Sequence, residues 1–66
     1  MFDRKRFEHA LLDVGISKTE LAHKLGISTV TLYRKMSGES DFFRNEIKII
    51  RSLIGTEQAE AIFFAE

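Results

Sequence analysis

Residues 17–38, SKTELAHKLGISTVTLYRKMSG, read as two short helices joined by a tight turn. Ser17 is an N-cap, because its hydroxyl can accept a bond from a free backbone N–H of the first turn. Glu20 follows three residues later, so Ser17-x-x-Glu20 reads as a capping box. Leu21, Ala22 and Leu25 then recur at helical spacing. Gly26 stands just past that face, where a left-handed residue costs least without a Cβ. Ile27 is apolar and can plug the space under the turn. Ser28 is a second N-cap, opening a helix in which Leu32 and Met36 lie one turn apart. Gly38 offers the next stop. A helix–turn–helix needs a small residue where the helices cross, a turn glycine, and an apolar anchor in the second helix. Ala22, Gly26 and Leu32 fill those three places.

At ELAHKLGIS followed by TLYRKMSG, the chain resembles the lambda-repressor-like helix-turn-helix family, which includes the phage Cro and cI regulators and the Xre-type proteins. The resemblance implies an all-α, compact five-helix DNA-binding domain. It departs from the family pattern at two positions. Lys35 occupies a place that usually holds an apolar residue, with Met36 one position later, which leaves the packing of that helix's inner end open. Phe43 falls where Ser or Thr often precedes the next helix, which leaves that helix start open.

The length of 66 residues allows one small domain, spanning 1–66 with the motif at about 17–38. A chain of this size buries only about 60% of its unfolded surface, so marginal stability is expected. There is no Cys, hence no disulfide framework and no thiolate metal site. The chain suits a reducing cytoplasm, and the resemblance implies that of a bacterial or phage-infected cell. The apolar runs are too short to span a bilayer, so no membrane association is expected. Pro is absent and Gly scarce, which favours helices.

Net charge is zero, which by itself argues against a nucleic-acid partner. Its distribution argues the other way. Residues 1–38 hold seven Lys/Arg against four Asp/Glu, a net +3, and residues 39–66 hold three against six, a net −3. A basic motif half is expected if that end faces phosphate. Ordinary solvated faces are the alternative.

Elsewhere, Phe7, Ala10, Leu11 and Val14 form an amphipathic stripe on a helix over 3–14, with Phe2 packing at its start and Gly15 ending it. Glu39, Ser40 and Asp41 form a polar loop. A fourth helix begins within 42–46 and runs to about 54, burying Ile47, Ile50, Leu53 and Ile54. Ile49 either widens that core or is exposed. Gly55 stops this helix. Thr56 then caps a fifth helix with a stripe of Ala59, Ile62 and Phe63, which Phe64 extends around the helix.

With Leu32 and Met36 pointing inward, Thr29, Val30, Tyr33 and Arg34 project elsewhere. The resemblance implies base readout by Thr29, Val30 and Arg34. Arg can bond guanine O6 and N7, Thr can bond a base or touch a thymine methyl, and Val can meet that methyl. Tyr33 could donate to a phosphate or stack on a sugar. Val30 and Tyr33 also fit a core or rim role. Lys18 sits in the first turn of its helix, where a cation opposes the dipole; a phosphate docked there would be held by the free N–H groups and the ammonium together. The alternative is a solvated lysine. Ser17, Ser28, Lys35, Ser37 and Arg44 complete the set of DNA-backbone candidates.

His9 and His23 lie on different predicted helices and make a poor metal site. No glycine-rich phosphate loop or nucleophile elbow occurs. No catalytic residue, metal, cofactor or small-molecule ligand is therefore expected, and the chain is not read as an enzyme. The apolar tail is the remaining signal. Adjacent Phe63 and Phe64 point about 100° apart on a helix, so intramolecular burial of both needs cover on two sides. Ile62, Phe63 and above all Phe64 are the candidates for a homodimer interface. The expected function is sequence-specific binding of a double-stranded DNA operator as a homodimer, with transcription regulation as the outcome. The rival is a protein-interaction module on the same fold, such as an antirepressor or an antitoxin-like partner.

Overall fold

A computed structural model describes residues 1–64 as five helices, with no strand among them. In chain order they are α1 (Arg4–Val14), α2 (Lys18–Leu25), α3 (Thr29–Met36), α4 (Arg44–Ile54) and α5 (Thr56–Phe63). Each of the first three begins on a side-chain cap. The Asp3 carboxylate accepts the Arg6 N–H, Ser17 Oγ accepts the Glu20 N–H, and Ser28 Oγ accepts the Thr31 N–H. The Glu20 carboxylate returns a weaker bond to the Ser17 N–H, at 3.4 Å, and completes the capping box. Gly26 ends α2 at φ 72°, a left-handed conformation that a side chain would strain.

Every helix delivers one fully buried side chain to a common centre: Phe7, Leu21, Leu32, Ile50 and Ile62. Burying each contributes about 1.5–3 kcal/mol. Ala22, on α2, is 2% exposed and belongs to the same core. Ile27 packs against the same core from the turn. Phe2, Phe7, Phe42 and Phe63 form a ring cluster, with centroids 5.2–6.4 Å apart. The Asp3 N–H donates to the Ile62 carbonyl at 2.8 Å, tying the chain before α1 to α5. α4 packs chiefly on α5, then on α1 and α2.

The structure corrects several sequence expectations. Val14 is 43% exposed and Gly15 follows it, so the apolar stripe of α1 stops at Leu11. Ile47 is half-buried but lies outside the core cluster, whereas Ile49 packs against it with Leu53 and Ile54. Thr56 is not the cap of α5 but its first residue. Gly55 stands there instead, at φ 96° and ψ 151°, a conformation confined essentially to glycine. That one residue both ends α4 and begins α5. Two of the three interface candidates prove to be interior. Ile62 is fully buried in the core, and Phe63 packs into the phenylalanine cluster. Phe64 follows the last residue of α5 and is 69% exposed, so it does not extend the helical stripe.

Candidate nucleic-acid interface

α3 divides cleanly by burial. Leu32, Lys35 and Met36 face inward. Val30, Tyr33, Arg34 and Ser37 are exposed, and their three- and four-residue spacings place them on one outward face. Thr29 is half-buried in the first turn. Val30 is 58% and Tyr33 44% exposed, so neither is a core residue. No carboxylate among the described residues forms an ion pair with Arg34. Its guanidinium is therefore uncommitted on that face.

The backbone candidates differ in what their polar atoms already do. Ser17 Oγ accepts the cap bond and retains its own hydrogen for a further acceptor. Ser28 Oγ accepts from Thr31 and also donates to Thr31 Oγ1 at 3.0 Å, so its proton is spent within the helix. The Ser37 hydroxyl turns back and donates to the Arg34 carbonyl at 3.0 Å. Arg44 is exposed at the first position of α4, on a different helix from the outward residues of α3.

Lys18 is not simply solvated. Its ammonium lies 2.7 Å from Glu8 Oε1 and 6.0 Å from the Tyr33 ring centroid. Glu8 also reaches Arg4, at 3.6 Å. The hydrogen bond from Lys18 holds the Glu8 carboxyl below the usual carboxylate range, against a desolvation that pushes it up. The same bond raises the Lys18 ammonium above an ordinary lysine. A phosphate at the start of α2 would thus meet a cation that already has a carboxylate beside it.

Lys35 must be removed from the phosphate candidates. It is 4% exposed, and its ammonium sits 2.8 Å from Glu46 Oε1, itself on a residue only 2% exposed. The ammonium also donates to the Asp41 carbonyl at 3.0 Å and lies 3.8 Å from the Phe43 ring centroid. Glu46 Oε1 accepts the Phe43 N–H at 2.7 Å. Phe43 offers no acceptor to cap α4, and Glu46, three residues on, supplies half a capping box from the other side. Both departures from the family pattern are therefore one device. The lysine in an apolar register and the phenylalanine at a capping position meet at the same carboxylate. Sequence reasoning missed Glu46 and Glu8 as partners. A lysine on an inward face was itself the signal, since a buried charge needs an opposite charge.

Among the described residues no group of three His, Cys, Asp or Glu is placed to hold a metal ion, and no helix is long and apolar enough to cross a membrane.

Residues 1–37, which contain α1, α2 and α3, match the family model described as bacterial regulatory protein, Fis family. The match covers more than half of the chain, and the chain belongs to that family. It carries a helix-turn-helix DNA-binding domain and is a regulator of that kind. No curated protein and no solved structure matches it.

Proposed function

We propose that this member of the Fis family is a non-enzymatic, sequence-specific regulator of the Cro or repressor type, acting at a double-stranded DNA operator as a homodimer. Residues 1–66 then form one DNA-binding domain. The observation that carries this reading is the outward face of α3: Val30, Tyr33 and Arg34 are exposed together, and Arg34 has no ion-pair partner there. In helix–turn–helix proteins the second helix enters the major groove, and arginine reads guanine bidentately. Thr29 and Val30 supply the first-turn contacts. Ser17, Lys18 and Arg44 hold phosphates.

Paired half-sites call for two copies. Phe64 is the apolar candidate that remains on the surface. One phenyl ring is small beside the roughly 1,200–2,000 Å² that stable interfaces bury, so pairing is weak in solution and is completed on the operator. The rival, a protein-interaction module, draws on the exposed rings of Phe43 and Phe64.

Selection of bound sites from a random duplex pool tests the main reading. A two-fold symmetric consensus is expected. Arg34→Ala should weaken binding by about 1–3 kcal/mol and relax preference at one base pair of each half-site. An unchanged base preference would remove Arg34 from direct readout. No duplex binding even at low salt would favour the rival.

A further inference from the structure

The acidic half of the chain keeps all three of its basic residues on α4. Arg44, Lys48 and Arg51 follow one another at four- and three-residue spacing, so they form one stripe. All three are exposed, and none has an ion pair among the described residues. They line one side of a groove of about 460 Å³ whose apolar lining is Phe42, Ile47 and Phe64. A second depression, of about 450 Å³, is lined by the same three apolar residues and also by Asp41. This trough explains why Ile47 is half-buried yet outside the core: it serves the groove. No residue of α3 lines the part that carries the cations.

An apolar floor beside a stripe of cations that have no ion pair among the described residues specifies its occupant by charge and shape. We infer that this groove docks an acidic amphipathic helix of a partner protein, with apolar side chains on Phe42, Ile47 and Phe64 and carboxylates facing Arg44, Lys48 and Arg51. Helix-in-groove recognition uses apolar anchors at three- and four-residue spacing, and flanking charge sets specificity and encounter rate. Duplex DNA matches the cations but gains nothing from an apolar floor. A second copy of this chain can touch Phe64 at the edge of the groove, but filling the floor would set the same three cations against its own. Because Phe64 also belongs to the two-copy contact proposed above, an occupied groove blocks that contact. The partner would therefore release the regulator from paired half-sites, whatever sequence α3 reads.

The probe is a fluorescent synthetic helix of about 18 residues, with leucines at the anchor spacing and glutamates on both flanks, compared with its glutamine counterpart. The glutamate peptide should bind the intact protein, weaken as salt is added, and lose about tenfold or more in affinity on Lys48→Glu with Arg51→Glu. Ile47→Ala, checked for folding by circular dichroism, should weaken both peptides. Random-duplex affinity of the charge-reversed variant is measured in parallel and should change far less than peptide affinity. Equal binding of the two peptides would overturn the assignment of an acidic partner. So would a charge reversal that abolishes duplex binding while sparing the peptide, which would give the stripe to DNA. A charge reversal that strengthens self-association in sedimentation without affecting the peptide would give the groove to a second copy. Failure of the operator selection would leave the peptide result standing, since the selection reads α3 and the peptide reads the groove, with Arg44 and Phe64 the residues offered to both.

Discussion

α2 reaches α3 through three residues, whereas α3 reaches α4 through seven. The shorter connection is held by neighbours in sequence. Gly26 turns the chain, the Ile27 N–H donates to the Ala22 carbonyl at 3.0 Å, and Ser28 caps α3. The longer one begins locally, with the Glu39 and Ser40 N–H groups returning to the Arg34 carbonyl. It is then closed by Lys35, which spans eleven positions to Glu46. A turn made of backbone and caps tolerates exposure, because water can replace any lost bond. A junction made of a buried ion pair does not, because a charge left alone there has neither water nor partner.

The sharpest way to break this contrast is to remove one charge. Lys35→Ala or Glu46→Ala should each cost about 3–5 kcal/mol, the usual penalty for stranding a buried charge. Such a loss would threaten the fold of a domain of this size. Lys35→Met combined with Glu46→Gln should recover most of it, because glutamine retains an acceptor for the Phe43 N–H while neither residue is charged. Urea denaturation of the three variants decides the matter. Single variants that cost under about 1 kcal/mol would show the pair behaving like an exposed one.

At the shorter connection the vulnerable point is packing. Ala22 is 2% exposed in the core that α2 shares with α3, and the sequence pattern puts the crossing of the two helices there. Ala22→Leu should overpack that contact and cost about 1–3 kcal/mol, read as a lowered thermal midpoint. An unchanged midpoint would mean that the helices meet elsewhere.

The same contrast explains what was legible in the sequence. The Ser17 cap and the Gly26 stop of α2 match the expectation because Ser17, Glu20 and Gly26 signal through neighbouring backbone. Phe7, Leu21, Leu32, Ile50 and Ile62 fall on apolar stripes, so the core could be read one helix at a time. The start of α4 could not be read, since its organising carboxylate answers a lysine on another helix. Ile47 was misplaced because periodicity shows that a face is apolar, not which of two apolar surfaces it meets. In the candidate site, Val30, Tyr33 and Arg34 followed from subtraction of the inward Leu32 and Met36, but the inward turn of Lys35 did not. The partner of Lys18 did not, because Glu8 comes from α1 and no local pattern joins them.

A milder break at the shorter connection is Ser28→Ala. It removes the oxygen that accepts the Thr31 N–H and leaves the first turn of α3 to water. The expected cost is about 1 kcal/mol in chemical denaturation, well below the loss at Lys35. Ser28→Asp should restore most of it, since aspartate is an equally good cap. A Ser28→Ala loss as large as that of Lys35→Ala would erase the distinction between the two junctions.

The smallest effect concerns an exposed ion pair, and it links the fold to the candidate nucleic-acid surface. Glu8 is held below its usual range by Lys18, and Lys18 is raised by Glu8. A carboxyl with a depressed folded value stabilises above its unfolded value and loses that contribution as pH falls through the folded one. A raised lysine stabilises below its unfolded value and loses that contribution as pH rises through the folded one. The pair should therefore support the fold across the neutral range and fade at both extremes. Glu8→Gln should accordingly show a small stability deficit that is flat between about pH 6 and pH 9 and shrinks below about pH 4. The same substitution leaves Lys18 without its carboxylate at the start of α2. If a phosphate docks there, Glu8→Gln should bind random duplex more tightly than the parent, with a salt slope steeper by up to about one. Adding Lys18→Ala should reverse that gain. A gain that survives the loss of Lys18 would arise from removing a negative charge in general, and Lys18 would then be a structural partner of α1 and not a ligand for DNA.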